Sequence, residues 1–158
     1  MPCNVDASDG CWSTPRAVAA FLTATGPGPD GTLRRVSDST VLLATDADHI
    51  YDEVDAALGG DHTVVRVHAG AEVLAAVGEH GPDLVVLDLQ IGNMGGMATC
   101  LDLRLEERAE RIPPQRVVML LDREADVFLA RRAEADAWVV KPLDPLALRR
   151  TAQDALVG

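Results

Sequence analysis

The segment GPDLVVLDLQ, residues 81–90, decides the fold of this chain. Its four apolar residues at 84–87 follow one another without polar alternation, which is typical of a strand buried on both faces. Gly81-Pro82 marks a turn before this strand, and an acidic residue, Asp88, ends it. A strand of this kind predicts a parallel sheet covered by helices on both sides.

Similar apolar runs occur on either side of this segment, and each is followed by a stretch with helical periodicity. The five predicted strands are VLLAT (41–45), HTVVRVH (62–68), LVVLD (84–88), VVMLL (117–121) and AWVV (137–140). The helices are expected from an N-cap at Asp48 to Gly59-Gly60, at 71–80, at 97–110, within 124–134, and from Pro145 to about Leu156. Right-handed crossovers then favour an α/β fold, a doubly wound five-stranded parallel sheet of order 2-1-3-4-5 in a three-layer sandwich.

The chain has 158 residues, which suits one domain and an additional segment. Residues 1–40 are rich in Gly, Pro, Ser and Thr, and they predict a flexible N-terminal arm with room for a short helix at 15–25. The composition becomes apolar at Val41. We therefore expect the folded domain at 41–158, with its boundary between Ser37 and Val41.

The composition also bears on partners and location. With 25 acidic and 14 basic residues, the formal net charge of -11 opposes direct contact with nucleic acid. No apolar run approaches the roughly 20 residues that span a bilayer, so no membrane partner is expected. Cys3, Cys11 and Cys100 form an odd set without zinc-site spacing, which favours a reducing, cytoplasmic location. Cys100 is expected to be a small core residue.

Charged residues lie at the ends of three predicted strands. Asp46 follows the first strand, Asp88 ends the third, and Lys141, the only lysine in the chain, follows the fifth. The carboxyl ends of parallel strands share one edge, so we expect these side chains at the switch point between strands one and three. Carboxylates can hold Mg²⁺ or attack phosphorus, and an ammonium can neutralise a phosphoryl oxygen. The trio therefore predicts metal-assisted phosphoryl transfer.

The sequence around these residues resembles the receiver domain of bacterial two-component response regulators, which has a flavodoxin-like fold. The resemblance rests on DLVVLDLQIGNMGGM (83–97), on the Asp after strand one and on WVVKPLDP (138–145), and it covers about residues 41–157. It implies these roles: phosphoacceptor Asp88, magnesium ligands Asp46, Asp88 and the backbone carbonyl of Gln90, phosphate-contacting Lys141, switch aromatic Trp138, and Pro142 after a cis peptide bond.

Two residues depart from the pattern of that family. Receivers usually end strand one with two adjacent acids, and Thr45 stands at the first of these positions, so we expect reduced affinity for Mg²⁺. Receivers also usually end strand four with Thr or Ser, where this chain has Leu121. We therefore expect that phosphorylation does not move Trp138 as it moves the switch aromatic of other receivers. A milder change is the glycine-rich IGNMGGM, which keeps Gly96 where a backbone turn is expected.

The resemblance implies a phosphoacceptor rather than an enzyme, and two functions remain open. In the first, a single-domain response regulator without a DNA-binding output takes a phosphoryl group on Asp88, with Mg²⁺, from a histidine kinase or a phosphotransfer protein. It then signals by binding a downstream target protein, and a homodimer is left open. In the second, favoured by Thr45 and Leu121, an atypical receiver acts as a constitutive, phosphorylation-independent interaction module.

Overall fold

A computed structural model describes residues 39–157, which form one parallel sheet and its flanking helices. The strands are β1 (Ser39–Ala44), β2 (His62–Val67), β3 (Leu84–Asp88), β4 (Val117–Leu121) and β5 (Ala137–Val140). The helices are α1 (Asp48–Leu58), α2 (Val73–His80), α3 (Gly96–Arg108), α4 (Val127–Arg132) and α5 (Pro145–Val157), with 3₁₀ turns at Gly70–Glu72 and Glu124–Asp126. The strands are all parallel, in the order β2-β1-β3-β4-β5, so the predicted fold class and strand order are confirmed.

The sheet separates two apolar clusters, and β3 contributes to both. Val85 and Leu87 pack with α2, α3 and α4, whereas Leu84 and Val86 pack with α1 and α5. Every residue of β3 and β4 is buried, which is why these strands show no polar alternation. Each buried Val or Leu side chain stabilises the fold by about 1.5–3 kcal/mol, so this double core fixes the strands whose ends carry the charged residues.

The first strand begins earlier than the sequence predicts. β1 starts at Ser39, two residues before Val41, because Ser39 lies in register with His62 and its hydroxyl contacts the imidazole Nδ1. A hydropathy pattern does not detect this pairing, because Ser39 and Thr40 at the start of β1 are polar. The rest of the predicted arm, with the helix predicted at 15–25, lies outside the described residues.

The predicted N-cap of the first helix is wrong. Ala47 is the N-cap residue, and Asp48 is already the first residue of α1. The Asp48 carboxylate instead accepts a 2.8 Å bond from the guanidinium of Arg66 on β2, which is a stronger partner than a neutral backbone amide. The Ala47 amide donates to the hydroxyl of Thr45 at 3.2 Å.

Cys100 is fully buried in the core, as predicted, and its thiol lies 3.2 Å from the carbonyl of Ala133. Burial raises the pKa of this thiol to about 11, although Arg104 opposes the shift.

Between residues 39 and 157, no helix has both the length and the apolar character that a membrane span requires.

Candidate functional site

The candidate site lies at the carboxyl edge of the sheet. In the strand register, Ala44 pairs with Leu87, Asp88 with Leu120, and Leu121 with Val140. The residues that end or follow these strands are therefore neighbours. The structure brings Asp88 and Lys141 into direct contact, whereas Asp46 lies on the exposed β1–α1 loop.

Asp88 is a buried carboxylate whose two oxygens both accept hydrogen bonds. Its Oδ1 accepts from Lys141 Nζ at 2.7 Å and from the backbone amide of Gln90 at 3.1 Å. Its Oδ2 accepts from Thr45 Oγ1 at 3.0 Å. The side chain is only 3% exposed, so these donors compensate the loss of water around the charge. They also fix the orientation of the carboxylate.

Lys141 bridges two carboxylates. Its Nζ donates to Asp88 and, at 3.0 Å, to Asp122 Oδ1, and its side chain is 17% exposed. Burial lowers the pKa of the ammonium, but the hydrogen bonds and charges of both carboxylates outweigh burial and raise that pKa above its ordinary value. Lys141 precedes Pro142 through a cis peptide bond, which confirms that part of the resemblance.

Asp122 is the site residue that the sequence reasoning missed. It follows the last residue of β4, and its carboxylate forms an ion pair with Lys141. Its Oδ2 is buried and has no hydrogen-bond partner within residues 39–157. The signal in the sequence is its position, because Asp122, like Asp46, is an acid directly after a buried strand.

Thr45 provides a hydrogen-bond donor at the position where the resemblance leads us to expect an acidic residue. Its side chain is fully buried, and its hydroxyl donates to Asp88 while accepting from the Ala47 amide. Its carbonyl accepts from Arg66 Nε at 3.1 Å, and the guanidinium of Arg66 lies over the Tyr51 ring at 5.1 Å. The edge strand β2 therefore holds the loop that presents Thr45 to the site.

The loop after β3 reaches Asp46. The amide of Gly92 donates to Asp46 Oδ2 at 3.1 Å. The loop adopts left-handed backbone angles at Asn93 (φ 45) and Met94 (φ 81). It lies so close to Gly70 that a Cβ on that glycine would fall 1.9 Å from the Met94 carbonyl oxygen. An Ala at position 70 would therefore displace the loop that contacts Asp46.

The sequence predicts a backbone turn at Gly96, and the structure shows a different reason for a glycine at this position. It is the first residue of α3, and a Cβ there would lie 2.4 Å from the backbone oxygen of Asp88. The glycine lets the helix start directly against the end of β3.

The oxygen donors near Asp88 suit a hydrated Mg²⁺ rather than a full protein cage. No group of three or more His, Cys, Asp or Glu side chains is arranged as a metal cage in the part of the chain that the structure describes. The carboxylates of Asp46 and Asp88, with the carbonyl of Gln90, match a cation that takes one or two carboxylates and retains several waters. The hydroxyl of Thr45 adds no negative charge to this set of oxygen atoms.

The end of β4 is apolar on its buried side. Leu121 is fully buried in the cluster on the α2–α4 face, and Trp138 packs against the same cluster. Trp138 is partly buried, and the Arg131 guanidinium lies 5.3 Å from its ring centroid. Leu121 therefore presents no hydroxyl that a phosphoryl oxygen could attract.

Comparison with known proteins identifies the family. Residues 41–153 match the response regulator receiver domain. Because the match covers most of the chain, this protein belongs to the receiver domain family of two-component systems. An uncharacterised response regulatory protein of Mycobacterium tuberculosis H37Rv is 33% identical over 96 residues, which are 61% of this chain and 69% of the relative.

Solved structures show the same fold. A putative response regulator from Chloroflexus aurantiacus J-10-fl superposes with a TM-score of 0.69 at 22% identity, over 77% of this chain and 99% of the other. The receiver domain of a sensor histidine kinase from Pseudomonas aeruginosa PAO1, solved with magnesium in its active-site cleft, gives 0.66 at 18% identity, over 77% and 99%.

Proposed function

We propose that Asp88 accepts a phosphoryl group from the phosphohistidine of a histidine kinase or a phosphotransfer protein. The phosphorylated receiver domain then binds a downstream target protein in the cytoplasm. The observation that supports this function best is a buried carboxylate at the end of β3 whose Oδ1 lies 2.7 Å from the ammonium of Lys141. An acidic nucleophile beside a fixed cation suits the transfer of a charged phosphoryl group.

The transfer uses the residues as follows. A carboxylate oxygen of Asp88 attacks the phosphorus, the P–N bond of the phosphohistidine breaks, and its electron pair stays on the imidazole. Gln90 and Thr45 hold the carboxylate through 3.1 and 3.0 Å bonds, which reduces the entropy lost on the way to the transition state. Lys141 offsets the charge of the phosphoryl oxygens. The product is an acyl phosphate on Asp88, so the protein is a phosphoacceptor rather than a classical enzyme.

Magnesium is part of the proposal. Asp46, Asp88 and the Gln90 carbonyl would hold it, and the bound ion would neutralise the phosphoryl oxygens during transfer. The Pseudomonas receiver domain, which shares this fold, was solved with magnesium in its own cleft.

The test is incubation with acetyl phosphate and Mg²⁺, followed by intact-mass measurement. We expect one added phosphoryl mass on the wild-type protein and none on Asp88→Asn, which removes the attacking carboxylate and keeps its shape. Lack of added mass on the wild-type protein at every Mg²⁺ concentration would contradict the proposal.

A second candidate function is a constitutive, phosphorylation-independent interaction module. It is favoured by one observation: Lys141, Thr45 and Gln90 already satisfy both oxygens of Asp88 without any added group. The two functions predict different behaviour of Asp88→Asn. This variant should lose target binding if phosphorylation is the signal, and it should retain binding if the module is constitutive.

A further inference from the structure

We propose that Asp122 is an internal competitor of the phosphoryl group for Lys141, so that the site favours its unphosphorylated state. This inference rests on the proposed function of Asp88. Lys141 Nζ lies 2.7 Å from Asp88 Oδ1 and 3.0 Å from Asp122 Oδ1. Asp122 therefore already holds the cation that a phosphoryl group on Asp88 would need.

The position of Asp122 makes this competition hard to avoid. Its side chain is 33% exposed, and its Oδ2 is buried without a hydrogen-bond partner inside the described 39–157 segment. Lys141 supplies the ion pair of Asp122. If Lys141 turned fully toward a phosphoryl group, Asp122 would keep a partly buried charge without that compensation, which is costly.

The charge of the phosphoryl group adds a second penalty. Phosphorylation places up to about two negative charges on a side chain. The new charge would lie beside Asp88, and Asp122 shares a single ammonium with that residue. The two anions would repel each other in this partly buried site, where charges interact more strongly than in water. Both effects lower the affinity of the site for a phosphoryl group.

Beryllofluoride separates this competition from a role of Asp122 in hydrolysis, because it mimics the bound phosphoryl group and is not turned over. The experiment measures its affinity at fixed Mg²⁺ by fluorine NMR, in the wild-type protein and in Asp122→Asn. We expect about tenfold tighter binding in the variant, as removal of one like charge at this range is worth about that factor after screening.

Two further variants make the comparison specific. Asp122→Ala removes both the charge and the acceptor, so it should bind at least as tightly as Asp122→Asn, and it replaces that variant if the latter does not fold. Glu124→Gln removes one negative charge from an exposed residue of the next turn. It should change the affinity less than about twofold, because exposed charges are screened. Thermal unfolding confirms that each variant is folded.

The outcomes distinguish the inference from the proposed function. Equal affinities in the wild-type protein and both Asp122 variants would overturn the competition alone, and so would an equal gain in Glu124→Gln. If no folded form binds beryllofluoride or takes phosphoryl mass from acetyl phosphate, the proposed function fails and the inference fails with it. Binding that requires loss of the Asp122 charge and is abolished by Asp88→Asn would support both.

Discussion

The two sides of Asp88 differ in the kind of group that meets its carboxylate. On the side of β1, a neutral hydroxyl from Thr45 donates at 3.0 Å, and Asp46 lies beyond it on an exposed loop. On the side of β4 and β5, the ammonium of Lys141 donates at 2.7 Å and is shared with Asp122. We call these the β1 side (Thr45 and Asp46) and the β4–β5 side (Leu121, Asp122 and Lys141).

The difference indicates where the electrostatic free energy of the site is concentrated. On the β1 side, a hydroxyl stands where receivers of this family usually carry an acid, which weakens the pull on a cation. On the β4–β5 side, an apolar Leu121 and an acidic Asp122 surround the cation. The fixed charges of the site therefore lie near Lys141 rather than near the proposed metal position. A hydrogen bond from a neutral donor to a charged acceptor stabilises the folded protein by about 1.5–3 kcal/mol. Removing one partner of a buried ion pair lowers the free energy of unfolding by more than that.

The largest effect is expected from Lys141→Met. This change leaves the 3% exposed carboxylate of Asp88 without its cation, which should lower the free energy of unfolding by about 3 kcal/mol. Urea unfolding at neutral pH measures the loss. The same substitution in an Asp88→Asn background should cost clearly less, because no buried charge then remains on that side chain. An equal loss in both backgrounds would show that the β4–β5 side does not depend on this ion pair.

The β1 side is tested by Thr45→Asp. The new carboxylate adds a negative charge beside Asp46 and Asp88, so Mg²⁺ affinity should rise about tenfold above the weak affinity expected for the wild-type protein. Calorimetric titration measures it. Thr45→Val removes the hydroxyl without adding charge and is the matched control, for which no gain is expected. Asp46→Ala should weaken binding further, and an unchanged affinity in that variant would refute the metal assignment.

The pH dependence of stability provides a smaller effect on the β4–β5 side. The folded-state pKa of Lys141 is raised above its ordinary value of 10.5, because the bonds to Asp88 and Asp122 outweigh burial. Its stabilising contribution is therefore complete below the unfolded pKa and is lost as pH rises through the folded pKa. As pH rises above about 10.5, the wild-type protein should therefore lose more stability to urea than Lys141→Met does. Parallel pH profiles would contradict this assignment.

Sequence reasoning predicted the strands well because apolar runs buried on both faces have few alternatives. The predicted bounds of β3, β4 and β5 agree with the structure, and the meeting of Asp88 with Lys141 follows from their position at strand ends. Helix ends were less accurate. The third helix ends at Arg108 instead of 110, since helix ends depend on local hydrogen bonds that periodicity does not report.

The missed features are side-chain contacts between elements distant in sequence. Asp122 lies 19 residues before its partner Lys141, and Arg66 lies 21 residues after the Thr45 carbonyl that it binds. The sequence indicates only a missing charge at Thr45, whereas the structure shows a buried donor to Asp88. These contacts depend on the register of neighbouring strands, which the composition of each separate segment does not specify.

The smallest effect concerns Trp138. In receivers, a hydroxyl at the end of strand four usually follows the phosphoryl group and vacates space for the switch aromatic. Leu121 has no hydroxyl and is fully buried in the cluster against which Trp138 packs. A ligand shifts an equilibrium only by its differential interaction with the two states, so a charge-assisted bond of about 1.5–3 kcal/mol is absent from the driving force.

We therefore expect beryllofluoride to leave the emission of Trp138 nearly unchanged. Trp12 is the only other tryptophan, so a Trp12→Phe background makes emission and quencher access report on Trp138 alone. Leu121→Thr restores a hydroxyl at the end of β4 and should produce a larger change than its parent. A large change in the parent that disappears in Asp88→Asn would show that the β4–β5 side still transmits the signal. Trp138, whose ring centroid lies 5.3 Å from the Arg131 guanidinium, would then have to change its position by a mechanism that needs no hydroxyl at residue 121.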